Sequence, residues 1–273
     1  MENGMNRKTD RQKTGGNILK ALIMAFSTYS RIPMPNVEFS EKNQRASLCF
    51  FPLIGIVIGL CQWLLMHFFS FLPVILPHTD LTFPLIRAGF MCALPVLVTG
   101  GIHMDGFLDT VDAKSSFKSR QERLKILKDP HTGAFAVIYS SLYFIISTLL
   151  YLNMTEASVL LLPMIYGMER ALSALSLLIF RKAREDGMAA SFAGSAGGYV
   201  KWVLLAEAVL LAVLMVAYRP LAGIFCVLTA AASFVYYRVS SYKWFGGVTG
   251  DLAGHFLQLC EICMLFMAVL FGM

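Results

Sequence analysis

The chain has 273 residues, of which 57% are hydrophobic and only 15% are charged, and its mean hydropathy is +0.64. That composition excludes an ordinary water-soluble domain, and six cysteines set mostly within apolar stretches exclude a disulfide-stapled fold. A formal net charge of +6 would suggest nucleic acid in a soluble protein, but here the Lys and Arg sit in the N-terminal segment and between apolar runs. There they read as topology determinants and anion sites, and no nucleic-acid partner is expected.

In chain order, the opening MENGMNRKTDRQKTGGNILK is polar and basic, with no apolar stretch leading to a cleavage site. Residues 1–17 are expected to form a basic cytoplasmic tail. The apolar run from Ile18 to Tyr29 has twelve residues, which as a helix reach about 18 Å, too little for a hydrocarbon core about 30 Å thick. It predicts an interfacial or partly inserted helix that stops at Arg31-Ile32-Pro33-Met34-Pro35. Seven longer runs follow at about 50–72, 85–103, 134–152, 157–180, 200–217, 220–237 and 254–272. The expected fold is all-α, a polytopic integral membrane bundle of about seven spans plus the short N-terminal helix, in a single domain over 1–273.

With the N-terminus inside, seven crossings put 104–133, 181–199 and 238–253 on the cytoplasmic side and 73–84, 153–156 and 218–219 outside. Lys114, Lys118, Arg120, Arg123, Lys125, Lys128, Arg181, Lys182, Arg184, Arg238 and Lys243 all fall inside, whereas the outer loops offer only Arg219. Every polar motif then shares one face of a multi-pass protein of the cell membrane. A homo-oligomer is compatible with such a bundle and is left open.

The first motif is Thr99-Gly-Gly-Ile-His103-Met-Asp105-Gly106-Phe-Leu-Asp109-Thr110-Val-Asp112-Ala113. On a helix, Asp105, Asp109 and Asp112 at i, i+4 and i+7 fall within a sector of about 60°. Carboxylates so close repel unless a cation joins them. Mg²⁺ does so through oxygen ligands and bridges protein carboxylates to substrate phosphates. The alternative is a solvated acidic face at the membrane boundary. The second motif, Arg123-Leu-Lys125-Ile-Leu-Lys128-Asp129-Pro130-His131-Thr-Gly133, offers cations for the oxyanions of a diphosphate, or only an amphipathic surface helix. A helix is expected from Ser119 to Asp129.

The third, Arg181-Lys-Ala-Arg184-Glu185-Asp186-Gly187 with Ser191 to Gly194 beyond it, reads as an anion site or as a plain positive inner loop. The fourth is Gly246-Gly247-Val-Thr249-Gly250-Asp251-Leu-Ala-Gly254-His255. Its glycines allow close backbone approach, a helix starting after Thr249 or Asp251 would aim free N–H groups at an anion, and Asp251 is a further metal carboxylate. A simple Gly-rich interhelical turn is the alternative. Within the spans, Glu169 and Arg170 suggest a functional pair or a structural ion pair between helices, and Glu207 lies in the following span. Arg87 is expected to snorkel outward, His67 and His78 to be structural, and Cys260-Glu-Ile-Cys263, lacking a second ligand pair, to hold no metal.

Together these motifs resemble the cobalamin synthase family, also called adenosylcobinamide-GDP ribazoletransferases. So do Phe26-Ser-Thr-Tyr-Ser-Arg-Ile-Pro-Met-Pro, Phe51-Pro-Leu-Ile-Gly-Ile-Val-Ile-Gly, Ala183-Arg-Glu-Asp-Gly and Lys128-Asp-Pro-His-Thr-Gly-Ala-Phe. The likeness runs nearly end to end. Ile102, Met104 and His131 depart from the family's usual residues but leave the acidic framework intact. The resemblance implies a Mg²⁺-dependent membrane phosphotransferase that moves the cobinamide-phosphate of adenosylcobinamide-GDP onto α-ribazole or α-ribazole 5′-phosphate and releases GMP. On that expectation Asp105, Asp109, Asp112 and Asp251 bind metal, and His103 or one of the aspartates takes the hydroxyl proton. Arg123, Lys128, Arg184, Gly247, Thr249 and Gly250 would hold phosphate. The rivals are a CDP-alcohol phosphatidyltransferase, whose acids follow a different frame, and a transporter, which would carry its acids near mid-membrane.

Overall fold

The computed structural model describes residues 18–38, 40–75, 82–184 and 198–272. The basic tail, His78, Glu185-Asp186-Gly187 and Ser191 to Gly194 lie outside the described residues. The helices are α1 (Ile18–Tyr29), α2 (Glu41–Ser47), α3 (Phe51–Ile75), α4 (Thr82–Thr99), α5 (Ile102–Ser115), α6 (Arg120–Ile126), α7 (Ala134–Leu152), α8 (Glu156–Val159), α9 (Leu162–Ile179), α10 (Tyr199–Tyr218), α11 (Pro220–Phe245) and α12 (Gly250–Phe271). A 3-10 turn, Leu48–Phe50, joins α2 to α3. Among the described residues the only β pairing is an isolated parallel bridge between Lys182 and Val248.

Six helical stretches are long and apolar enough to cross a membrane, and a seventh is reached with the pair Phe83–Thr99 and Ile102–Ser115, which is bent by 95°. The protein is therefore a polytopic helical bundle. Residues such as Leu97, Trp202 and Val235, which are 68%, 63% and 61% exposed, are the side chains such a bundle turns to lipid. Helix α9 is central, with 72% of its membrane-length window buried.

Several boundaries differ from the expected ones. The run expected to continue through His103 stops at Thr99, where the Thr99 hydroxyl donates back to the Pro95 carbonyl at 2.8 Å and Gly100 and Gly101 turn left-handed with φ of 66° and 80°. His103 thus opens a new helix. The stretch expected as a cytoplasmic loop, 104–133, contains α5 and α6, and α5 packs against α12 and α7. Its 14 residues carry three aspartates and Lys114, and the 95° bend turns them off the line of α4, so α4 is the apolar arm of the pair and α5 its polar one. The run expected to end at 237 continues helical to Phe245, because nothing breaks it before Gly246, whose φ of 76° caps the helix. The expected surface helix is present but shorter: α6 starts at a capping box between Ser119 and Glu122 and ends at Ile126.

The packing of α5 on α12 positions the site. A Cβ added at Gly106 would lie 2.7 Å from the Asp251 carbonyl oxygen, and one at Gly254 would lie 2.9 Å from that of His103. Only hydrogen at both positions lets the two backbones approach this closely, the small-residue contact common between membrane helices.

Candidate active site

A cavity of about 480 Å³ opens where α1, α3, α5, α9 and the start of α12 converge. Its polar lining includes Thr28, His103, Lys128, Ser173, Arg184 and the Thr249-Gly250-Asp251 turn, with apolar walls that include Tyr29, Leu48, Phe51, Leu177 and Leu257. Six residues singled out in the sequence as site candidates therefore meet in one place, although they come from four separate segments.

The α12 wall is built by capping and one short bridge. Thr249 is the N-cap of α12, and its hydroxyl accepts from the Leu252 N–H at 3.2 Å, so the helix begins where the sequence suggested. The first turn of a 22-residue helix thus faces the cavity through Gly250. Arg184 reaches it because Val248 donates to the Arg181 carbonyl at 2.9 Å and Ala183 donates to the Val248 carbonyl at 3.0 Å. Arg184 Nη2 then donates to Asp251 Oδ2 at 3.1 Å. Gly247, expected to approach phosphate, instead lets this bridge form: a Cβ there would sit 2.4 Å from the Arg181 carbonyl oxygen.

The acids of α5 divide their work. Asp109 is half-buried, and burial followed by the negative fields of Asp105, Asp251, Asp112 and Asp129 pushes it up to about 7. Asp105 is exposed on the same helix. Asp112 is engaged elsewhere, accepting from the backbone N–H groups of Gly133 and Ala136 at 2.6 and 2.9 Å and so capping α7 from a distant helix. Gly133 is what admits this carboxylate, since a Cβ there would sit 2.6 Å from Asp112 Oδ1. Among the described residues, no group of three or more His, Cys, Asp and Glu side chains is arranged to hold a metal ion by itself.

His103 is buried in the first turn of α5, edge-on to Phe51 with ring centroids 5.5 Å apart. Burial, and then the positive field of Arg170, hold it well below its ordinary value, so the imidazole is neutral and keeps one accepting nitrogen. Arg123 is not in the cavity lining. It is buried with its guanidinium 4.3 Å from the Trp244 ring, where its stem and plane serve packing. Lys128 does line the cavity.

A second polar cluster lies deeper. Arg170 pairs with Glu169 at 2.5 Å, within α9 rather than between helices as expected. The interhelical partners come from residues not anticipated: Tyr143 and Tyr166 donate to Glu261 Oε1 at 2.9 and 3.2 Å, and Gln62 donates to the Tyr151 and Tyr166 hydroxyls, both at 3.1 Å. Glu261 lies between Cys260 and Cys263, and a carboxylate inside an apolar span is the residue there that signals a buried polar partner. All six cysteines are free. His103 borders both the main cavity and a void of about 10 Å³ shared with Arg170, Gln258 and Glu261, room for about one water.

A family model described as Cobalamin-5-phosphate synthase matches residues 21–269. The chain belongs to the cobalamin synthase family. The adenosylcobinamide-GDP ribazoletransferase of Lachnoclostridium phytofermentans is 38% identical over 245 residues, covering 89% of this chain and 91% of that protein. Those of Clostridium botulinum (strain Alaska E43) and Desulfitobacterium hafniense are 30% and 29% identical, covering 93% and 90% of this chain and 99% and 95% of their own lengths. No solved structure matches. As a cobalamin synthase family member the chain is an enzyme, a transferase of cobalamin biosynthesis.

Proposed function

We propose that the enzyme transfers the adenosylcobinamide-phosphate group of adenosylcobinamide-GDP to α-ribazole or α-ribazole 5′-phosphate and releases GMP, at the cytoplasmic face of the cell membrane. The observation that carries this reading is the meeting of a neutral imidazole, two cationic side chains and a helix N-terminus in one cavity. Phosphoryl transfer asks a protein for positioning and charge stabilisation more than for covalent chemistry. The ribose 3′-hydroxyl oxygen bonds to the cobinamide-bearing phosphorus while the bond from that phosphorus to the bridging oxygen breaks, and GMP leaves with the electron pair. His103, neutral and buried, takes the hydroxyl proton. Lys128, Arg184 and the first N–H groups of α12 hold the oxyanions. The excess of Lys and Arg on the segments that build this face supports a cytoplasmic orientation.

The residues fit a Mg²⁺ ion in one specific sense. The carboxylates around Asp109 crowd it enough to raise it to about 7, a repulsion that a divalent cation relieves. One or two of Asp105, Asp109 and Asp251 would hold the ion, which needs no more protein carboxylates than that and leaves its other positions to water and phosphate. Bound there, it supplies charge neutralisation to the pyrophosphate. Asp112 remains committed to α7. The test is GMP release by purified protein given adenosylcobinamide-GDP, α-ribazole and either Mg²⁺ or a chelator. Asp105→Asn is expected to lower turnover at least about 100-fold, in the range lost when a stabilising contact at a reacting centre is removed. Corrinoid flux in proteoliposomes without nucleotide release would overturn the reading in favour of a transporter.

A further inference from the structure

Resting on the ribazoletransferase reading, we infer that the 480 Å³ cavity is the acceptor's pocket, and that Tyr29 and Phe51 hold the aromatic base of the ribazole nucleoside while the corrin macrocycle stays outside. The two substrates differ greatly in size. A cavity of this volume suits a drug-sized ligand, which a nucleoside is, whereas a corrin ring carrying a nucleotide is several times larger.

The lining separates by chemistry and by origin. Lys128, Arg184 and Asp251 come from the polar segments after α6, after α9 and at the start of α12. Tyr29, Leu48 and Phe51 come from α1 and the start of α3. The Tyr29 and Phe51 rings are 4.5 Å apart at a tilt of 44°, and both are buried yet border the cavity. Such a pair offers an aromatic ligand a stacking surface. An apolar bicyclic base, with few polar atoms to satisfy, matches it.

Guanine does not. Reading a purine's polar edge takes amide or carboxylate side chains, and leaving them out forfeits discrimination. Among the described residues the cavity lining contains no Asn, Gln or Glu, and its one Asp is bound by Arg184 and Thr249. The lining does supply hydroxyls, on Thr28, Tyr29 and Ser173, for a sugar. His103 stands edge-on to Phe51, so a base stacked on this pair brings its ribose beside the imidazole.

The experiment measures KM for each substrate separately in detergent-solubilised enzyme, for wild type, Phe51→Leu and Tyr29→Leu. Stacking on an aromatic side chain contributes roughly a ten-fold effect per ring or more. KM for α-ribazole is therefore expected to rise about ten-fold or more in each variant, with KM for adenosylcobinamide-GDP unchanged. A rise for the corrinoid donor instead, or no rise for either, would overturn the assignment. Should both variants fail to fold, calorimetry on wild type decides: α-ribazole is expected to bind without donor present, and adenosylcobinamide-GDP is expected not to displace it. Displacement, or no binding, would equally refute it. Wild-type enzyme that releases no GMP at all would strike the ribazoletransferase reading itself, which keeps the two failures apart.

Discussion

Gly106→Ala puts one methyl group between the two halves of the site. Its Cβ would meet the carbonyl oxygen, Cα and carbonyl carbon of Asp251 at 2.7, 2.9 and 3.2 Å. These are backbone atoms in the first turn of α12, and no side-chain rotation relieves the contact. Ordinary contact lies at about 3.5–4.0 Å, so α5 and α12 must separate by roughly 0.7–1 Å. That shift moves Asp105, Asp109 and His103 away from Thr249, Asp251 and Arg184. A displacement of about 1 Å costs on the order of 100-fold in rate, and overpacking costs about 1–3 kcal/mol in stability. GMP release and thermal unfolding in detergent would be measured beside Gly89→Ala, whose added Cβ meets nothing within 4 Å and which is expected to behave as wild type. A folded Gly106→Ala enzyme with wild-type kcat would refute the claim that this contact sets the site's geometry.

Asp112→Ala should lose about 1 kcal/mol of stability, as expected for a lost helix cap, while the response of activity to Mg²⁺ titration persists; loss of that response would make Asp112 a metal ligand. Asp109 supplies a pH signature. Its carboxyl sits at about 7 in the folded protein against an ordinary 3.8, so the folded state keeps a proton that the unfolded chain releases between these values. In Mg²⁺-free buffer, stability from this group therefore declines as pH rises from about 4 to about 7 and is level above. Melting curves across that range should show a steeper decline in wild type than in Asp109→Asn, and equal slopes would count against the crowding. In the deeper cluster, Glu261→Ala strips the acceptor from two buried tyrosine hydroxyls, which should cost on the order of 3 kcal/mol, whereas Glu261→Gln keeps an acceptor and should cost about 1 kcal/mol; unfolding in detergent distinguishes them.

Most of the fold was readable because membrane spans are the strongest signal an amino-acid sequence carries: hydrocarbon thickness sets their length, and lipid forbids polar interruptions. The break at Gly100-Gly101 was harder to place, since Ile102 and Met104 continue the apolar composition and only the backbone geometry ends the helix. The i, i+4, i+7 aspartates identified one helical face, yet spacing could not reveal that Asp112 is taken by α7, a contact 21 and 24 residues away. Arg123 shows the opposite limit. A cation near a phosphate motif looks like a ligand until a tryptophan from another helix is found beneath it. Tyr29 and Phe51 were visible as letters but not as a pair, because nothing local says that α1 lies against α3.

The cavity wall draws on residues from Thr28 to Leu257, and the bridge between Lys182 and Val248 closes a loop of chain around α10 and α11. For a protein made from its N-terminus and threaded into a bilayer helix by helix, this wiring fixes a schedule. The acids of α5, the imidazole and the aromatic pair are synthesised earlier and wait without Asp251, Thr249 or the N-terminus of α12. The pocket is completed only when α12 leaves the ribosome, so a chain stalled or cut anywhere before Gly250 carries the first half of the chemistry and none of the turnover.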